Sequence, residues 1–272
     1  MSLPFLKMNG LGNDFVVVMS EGAAFTPSRE KASAIANRMS GVGCDQLIAI
    51  TPSHRADAGM RIWNADGGEV EACGNAARCV GWLLMEASGL DRVRIETPVG
   101  VLVAGRADPG MVTIDMGEPG LGWRDIPLAV DMDTREVALE VDDVLRAPGC
   151  VAIGNPHVVF FVPDVESAPV TAVGPVIERN SLFPQRTNVE FAQILGPSHI
   201  RMKVWERGVG QTRACGTGAC ATLVAAHRRG LCERRAIVTL DGGDLVIEWR
   251  GSDNHVLMTG PVAVEFAGRL PL

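Results

Sequence analysis

The sequence predicts an α+β protein made of two copies of one β-rich domain, each copy holding one main helix. Three observations carry that expectation. "EACGNAARCVGWLL" at 71–84 and "RACGTGACATLVAA" at 213–226 each set a Cys-Gly pair at the mouth of a small-residue run that reads as a helix. Cys215 lies 142 positions after Cys73, and the same offset aligns "GNDFVVV" with "GNPHVVF", Asn13 with Asn155, Gln46 with Asn188, Asn64 with Glu206 and Arg61 with Lys203. Short β-branched runs between turn residues fill both halves. A repeat of this period means two copies of a domain rather than a solenoid of short units.

Taken in order, the first half offers strands at "FVVVM", "LIAI", "MRIW", "VRIET", "VLVA" and "MVTIDM". The second half repeats them at "HVVFFV", "NVEFAQIL", "IRMKVWE", "AIVTL", "LVIEW" and "HVLMTG". The register drifts by a residue or two late in each copy, where "MVTIDMG" meets "HVLMTGP". The helices after Cys73 and Cys215 are apolar on most faces and are expected to be buried within the strands of their own domain, with Gly89 and Gly230 as stops. A further helix is expected near 29–39. The linker falls between "GEPG" at 117–120 and "REVALEV" at 135–141, which gives domains of 1–119 plus 262–272 and 120–261.

The 272 residues are 47% hydrophobic and 21% charged, with a net charge of −7, which fits a globular protein and argues against a nucleic-acid partner. The opening "MSLPFLKMNG" lacks a signal-peptide core, and no apolar run approaches the roughly 18 residues of a membrane span. A cytoplasmic location with no membrane partner is expected. Seven cysteines, an odd number, read as free thiols in a reducing compartment. None are spaced as CxxC, no histidines sit at helical ligand spacing, and there is no P-loop or GxGxxG, so no metal and no cofactor is expected.

A helix N-terminus offers unpaired N–H groups and the positive end of the dipole. Such a place binds carboxylates and lowers a thiol's pKa. Gly74 and Gly216 leave the backbone open to a ligand. Two such ends aimed at one carboxylate would flank its α-carbon with sulfur on both faces. Inverting a stereocentre needs a base on one face and an acid on the other, and a thiolate and a thiol supply both. Amides around the carboxylate, and loss of water on domain closure, would then stabilise the carbanion in place of pyridoxal.

The motifs "KMNGLGNDFVVV", "GCDQL", "RIWNADGGEVEACGNAARC", "GNPHVV", "RTNVEF" and "WERGVGQTRACGTGACA" follow one another over nearly the whole chain, and here the sequence resembles the diaminopimelate epimerase family. The resemblance implies an α/β fold of the α+β type. Its two pseudo-symmetric domains are each a curved, mostly antiparallel sheet wrapped around a central helix, with the active site in the cleft between them. It implies cofactor-independent interconversion of L,L-2,6-diaminopimelate and meso-diaminopimelate, in lysine and peptidoglycan precursor synthesis, by a homodimer without a metal. Cys73 and Cys215 become the acid/base pair. Gly74, Asn75, Gly216 and Thr217 supply backbone N–H groups to the reacting carboxylate. Asn13, Gln46, Asn64, Asn155, Asn188, Glu206 and Arg207 line the substrate site, Arg207 as the clamp for the distal carboxylate, and His157 and Glu206 tune the sulfurs. Ala76 stands where many relatives have glycine, which would tighten the approach to that turn, and Gln211 where glutamate is frequent.

Cys44, Cys79, Cys150, Cys220 and Cys232 read as small core or surface residues. His54, His199, His227 and His255 take no role, with His54 and His227 solvated among charged neighbours. The nearest rival is a proline or hydroxyproline racemase on the same fold, but that group carries histidine where this chain has Asn75, and Arg207 would lack a partner in so small a substrate. A sister isomerase group uses a carboxylate base, which the two cysteines argue against. A thiol redox sensor needs no ring of amides around its sulfurs, and an amino-acid binding module needs no sulfur on both faces.

Overall fold

A computed structural model of the chain describes residues 2–19, 25–70, 73–98 and 100–271. Glu71 and Ala72, in the motif that leads to Cys73, lie outside the described residues. The chain divides into two compact units, Met1–Asp115 with Thr259–Leu272, and Met116–Met258.

The first unit runs β1 (Ser2–Gly10), β2 (Asn13–Met19), α1 (Arg29–Ala36), β3 (Gln46–Thr51), β4 (Ala58–Asn64), β5 (Glu69–Val70), α2 (Gly74–Ser88), β6 (Arg92–Thr97), β7 (Gly100–Arg106) and β8 (Met111–Asp115). The second runs β9 (Gly149–Ala152), β10 (Pro156–Phe161), α3 (Val170–Glu178), β11 (Asn188–Gly196), β12 (His199–Glu206), β13 (Gly210–Thr212), α4 (Gly216–Arg228), β14 (Arg235–Leu240) and β15 (Gly243–Trp249). Next, β16 (Val256–Pro261) carries the chain past the boundary. Last, β17 (Ala263–Pro271) belongs to the first unit and pairs antiparallel with β1, from Ser2↔Pro271 to Asn9↔Ala263.

The pairings repeat at the sequence offset. β2 and β3 are parallel with Phe15 beside Gln46, and β10 and β11 are parallel with His157 beside Asn188. β3 and β4 are antiparallel with Leu47 facing Trp63, as Val189 faces Trp205 between β11 and β12. Trp63 then faces Glu69 and Trp205 faces Gln211. The drift enters after the cysteine motifs: Ala58 lies beside Ile95, while Ile200 lies beside Val238, one residue further on. Most other pairs within each unit are antiparallel, including β6–β7, β7–β8 and β14–β15.

Each cysteine-led helix is wrapped by strands of its own unit. α2 packs on β1, β2, β4, β6, β7 and β8, and α4 on β9, β10, β11, β12, β14 and β15. Composition explains this: α4 buries ten of its residues, most of them Gly, Ala, Cys or Thr, so strand backbones come close on every side. α2 ends at Gly89, whose φ of 72° is the left-handed C-cap, with its N–H on Met85 O. Each unit has a second helix on the sheet's outer surface, α1 over β3 and β4 and α3 over β11, β12 and β13. Under α3, Phe160 and Phe191 stack with centroids 6.0 Å apart in a core that also holds Ile126, Val137 and Leu145. Each such fully buried ring contributes about 1.5–3 kcal/mol.

Three expectations need correction. The helix expected near 29–39 stops at Ala36 because the Asn37 side chain accepts from the Met39 and Ser40 N–H groups and turns the chain there. The stretch expected as a linker, between 120 and 135, is built into the second unit, with Ile126 and Leu128 buried in its core. His227 is half-buried rather than solvated: Nδ1 donates to Cys232 O at 2.9 Å and the ring packs edge-on to Trp249.

Candidate active site

In the first unit β2 and β3 run parallel and β4 returns antiparallel, so Asn13 and Gln46 at strand starts share one sheet end with Asn64 at a strand finish. α2 begins beside them. Cys73 is its N-cap, in extended backbone, and its side chain makes no capping bond, so the thiol is released from the helix and donates to Asn13 Oδ1 at 3.7 Å. Gln46 Nε2 donates to Asn64 Oδ1 at 2.9 Å. Gln46 Oε1 and Asn75 Oδ1 are buried oxygens with no hydrogen-bond partner, two acceptors at the same edge. Ala76 is fully buried, so its methyl faces the core and does not narrow a ligand's approach as the sequence reading expected.

A charged network that the sequence reading did not single out fixes Asn13. Its Nδ2 donates to Asp45 Oδ2 at 2.8 Å, and Arg38 bridges Asp45 at 2.7 Å and Asp14 at 2.8 Å. Lys7, almost fully buried, bonds Asp14 and Gly43 O. Burial alone would raise Asp14, but the hydrogen bonds from Arg38 and Lys7 outweigh it and hold the carboxyl well below the usual carboxylate range. A depressed carboxyl contributes stability that is present above its unfolded pKa, about 3.9, and lost as pH falls below it. Acid titration followed by circular dichroism is expected to show this loss in the wild type, and Asp14→Asn is expected to be less stable at neutral pH and to flatten the slope.

The second unit repeats the geometry with different chemistry. Asn155 precedes β10, Asn188 opens β11, Glu206 closes β12 and Cys215 is the N-cap of α4, again extended and again making no capping bond. Cys215 Sγ lies 3.5 Å from Thr217 Oγ1. The Thr212 hydroxyl donates to Glu206 Oε1. Asn188 is spoken for on both sides of its amide: Nδ2 donates to Pro156 O at 2.9 Å, and Oδ1 accepts from Arg207 N at 2.9 Å. It ties three strands together and sets the turn that presents Arg207, whose exposed guanidinium makes one bond, to Gln185 O at 3.1 Å. Glu178 steadies that turn from α3, accepting from Trp205 Nε1 at 2.8 Å and Gly208 N at 3.1 Å.

His157 is fully buried, with Nε2 2.8 Å from Asn155 Oδ1 and Nδ1 2.7 Å from Glu190 Oε1. Sequence reasoning missed Glu190. In "NVEFA" it is one acid in an apolar strand, and its only signal was the offset, which sets it against Ile48. Burial raises Glu190 and Glu206 above the usual carboxylate range. Burial, then the charges of Glu206 and Glu190, push the Cys215 thiol well up. A helix N-terminus alone predicts the opposite, so for Cys215 desolvation and two carboxylates override the dipole. Other thiols are held protonated by burial, Cys44 and Cys232 at about 11 and Cys79 at about 12, as befits packing residues.

The comparisons with known proteins follow the same duplication. The sequence profile of the family described as Diaminopimelate epimerase matches residues 5–121 and 149–265. The chain belongs to the diaminopimelate epimerase family. It is 59% identical to the diaminopimelate epimerase of Phenylobacterium zucineum, over 100% of this chain and 99% of that one. With the diaminopimelate epimerase of Rhodospirillum centenum it shares 54% identity, over 98% of this chain and 91% of that one. Among solved structures, a phenazine biosynthesis protein of Bacillus anthracis superposes with a TM-score of 0.70 at 16% identity, covering 100% of both chains. A hydroxyproline epimerase from Agrobacterium vitis, covering 100% of this chain and 93% of that one, gives 0.68 at 15% identity. These two likenesses establish the α+β fold and nothing finer. Outside the family's two matched stretches lies 122–148, the segment packed into the second unit's core. Among the described residues no group of three or more His, Cys, Asp or Glu could hold a metal ion, and no helix is long and apolar enough to cross a membrane.

Proposed function

We propose that the chain interconverts L,L-2,6-diaminopimelate and meso-diaminopimelate, in lysine and peptidoglycan precursor synthesis, with Cys73 and Cys215 as base and acid on opposite faces of one α-carbon. The observation that carries this is the equivalence of the two thiols, each at the N-cap of the central helix of its own unit. The first-turn N–H groups at Gly74, Asn75, Gly216 and Thr217 receive the reacting carboxylate, and the dipoles of two buried helices favour the charge that builds there.

The halves are alike in backbone and unlike in charge, and this sets the resting roles. Cys215, beside Glu206 and Glu190, rests as the thiol and is the proton donor. Cys73, held by the neutral Asn13 amide, is the base once its proton has left. The α-proton passes to the Cys73 sulfur as the Cys215 proton arrives on the other face. Glu206, hydrogen-bonded to Cys215 and with its carboxyl raised by burial, is the group placed to exchange a proton with the Cys215 sulfur between turnovers. Asn13, Gln46, Asn64, Asn155 and Asn188 shape the walls. By the same reading the chain works in the cytoplasm as a homodimer, without pyridoxal or metal.

Arg207 takes the distal carboxylate, which an amino acid the size of proline lacks. A charge-assisted hydrogen bond contributes about 1.5–3 kcal/mol. Arg207→Met is therefore expected to raise KM about 10- to 10²-fold with kcat nearly unchanged, the signature of lost uniform binding. Steady-state kinetics on the L,L isomer read this directly. A fall in kcat with KM unchanged would remove Arg207 from the binding role.

A further inference from the structure

We propose that Glu190 is a positioning residue for the reaction proposed above: its buried carboxylate fixes the tautomer of His157 and, through the imidazole, turns the amide of Asn155, the second unit's counterpart of Asn13. The inference rests on the epimerase reading for its kinetic consequence but not for its geometry.

The fold does not require this pair. At the equivalent places the first unit has Phe15 for His157 and Ile48 for Glu190, both fully buried, on strands in the same parallel register. It also has Ala76 where the second unit has Gly218. The third exchange belongs with the other two: a Cβ at Gly218 would stand 2.9 Å from Glu190 Oε1 and 3.3 Å from Cys215 Sγ. The missing methyl makes room for the carboxylate at the head of α4. One half fills this volume with hydrocarbon, and the other with an acid, an imidazole and a gap. A buried ionic pair is often no more stable than the apolar residues that could replace it. Glu190 is poorly served as well, since its Oε2 is buried with no hydrogen-bond partner.

The hydrogen bonds say what the acid does. Asn155 Oδ1 accepts only, so His157 Nε2 carries the proton of that bond. Nδ1 then shares a second proton with Glu190, as an imidazolium beside a carboxylate or an imidazole beside a carboxylic acid. Either way the amide oxygen of Asn155 is tied inward and its NH₂ is left to donate outward. Asn13 is turned the other way, its NH₂ held by Asp45 and its oxygen facing Cys73. Equivalent amides are thus turned in opposite senses in the two units. Without Glu190, only the Asn155 amide favours a proton on Nε2, and that amide is free to turn its NH₂ to the ring instead. The ionisable groups facing Glu190 are His157 on β10, Cys150 on β9, Glu206 on β12 and Cys215 on α4. The acid on α3, Glu178, is engaged with Trp205 and Gly208.

The test compares the wild type with Glu190→Gln, Glu190→Ile and the double variant His157→Phe/Glu190→Ile, which copies the first unit's apolar pair. Ring ¹⁵N shifts of His157 are read by NMR, and kcat and KM for the L,L isomer are read against pH. Gln donates to Nδ1 and keeps the Nε2 proton. Glu190→Gln is therefore expected to preserve the Nε2–H tautomer and KM while moving the pH profile. Glu190→Ile is expected to mix the tautomers and lower kcat by about 10²-fold, the low end of what a positioned acid or base contributes, since Glu190 acts through His157 and Asn155. The double variant is expected to be as stable as the wild type to heat and no more active than Glu190→Ile, separating positioning from folding. The proposal is overturned if Glu190→Ile keeps the wild-type tautomer, or if it keeps the wild-type pH profile in an active enzyme. A wild type that leaves diaminopimelate unchanged would instead sink the epimerase reading, and the ¹⁵N shifts would still decide the tautomer.

Discussion

Cys73→Ala and Cys215→Ala are each expected to lower kcat for epimerisation by about 10²–10⁴-fold, the usual contribution of a positioned acid or base. That range is about 3–5 kcal/mol of barrier. Neither change should unfold the chain, because neither thiol caps its helix and each side chain is small. The two variants should also differ in kind. With Cys215 gone, Cys73 can still remove an α-proton and return a solvent deuteron to the same face, so exchange without inversion is expected from the isomer it faces. With Cys73 gone, the remaining thiol is the one that burial and two carboxylates keep protonated, and exchange should be slower still. Chiral chromatography and proton NMR in D₂O separate these outcomes. Two variants with the activity of the wild type would exclude both sulfurs from the chemistry.

Gly218→Ala is expected to impair the reaction through a single methyl at the head of α4. The added carbon would meet Glu190 Oε1 at 2.9 Å, Cys215 Sγ at 3.3 Å and Cys215 Cβ at 3.4 Å. A contact under 3.0 Å forces a shift, and both neighbours are buried within the packed centre of the unit. Displacing a reacting atom by about an ångström costs roughly 10²-fold in rate. Overpacking a core costs about 1–3 kcal/mol of stability. Activity should therefore fall while the chain remains folded at room temperature. The matched control is Ala76→Gly in the first unit, which opens the same place where no carboxylate waits. It is expected to cost about 1 kcal/mol through helix propensity and to leave kcat alone. Equal effects of the two changes on rate would mean that Gly218 serves helix packing and not the thiol.

How far these residues could be read from sequence follows from what sequence encodes locally. β2, β3 and β10 announce themselves because β-branched runs between turns have few alternatives. α2 and α4 follow from small residues after a Cys-Gly start. α3 is the counterpart of α1 at the same offset and was missed, because its valines and the internal Pro175 read against a helix. Its stability comes from packing on β11 and β12, which no local window contains. β1 and β17 were passed over for a similar reason: they pair with each other across the whole length of the chain. The site shows the same division. Asn13, Asn155, Gln46 and Asn188 stand out through repetition. Glu190, Gly218 and Asp45 matter through what lies against them in space, and Glu190 and Gly218 emerge only where the two copies differ. Asn188 is the converse case, a repeated polar residue whose amide the fold itself uses on both sides.

The central claim is that two thiols invert an α-carbon without help from a cofactor. Its most direct test is α-proton exchange in D₂O by NMR, with reduced wild-type protein, no additive, and L,L-diaminopimelate, meso-diaminopimelate, L-lysine and L-proline offered in turn. The account predicts deuterium entry and interconversion for the two diaminopimelate isomers and none for lysine or proline. Exchange of proline alone, or of none of the four by a folded and reduced sample, would contradict it.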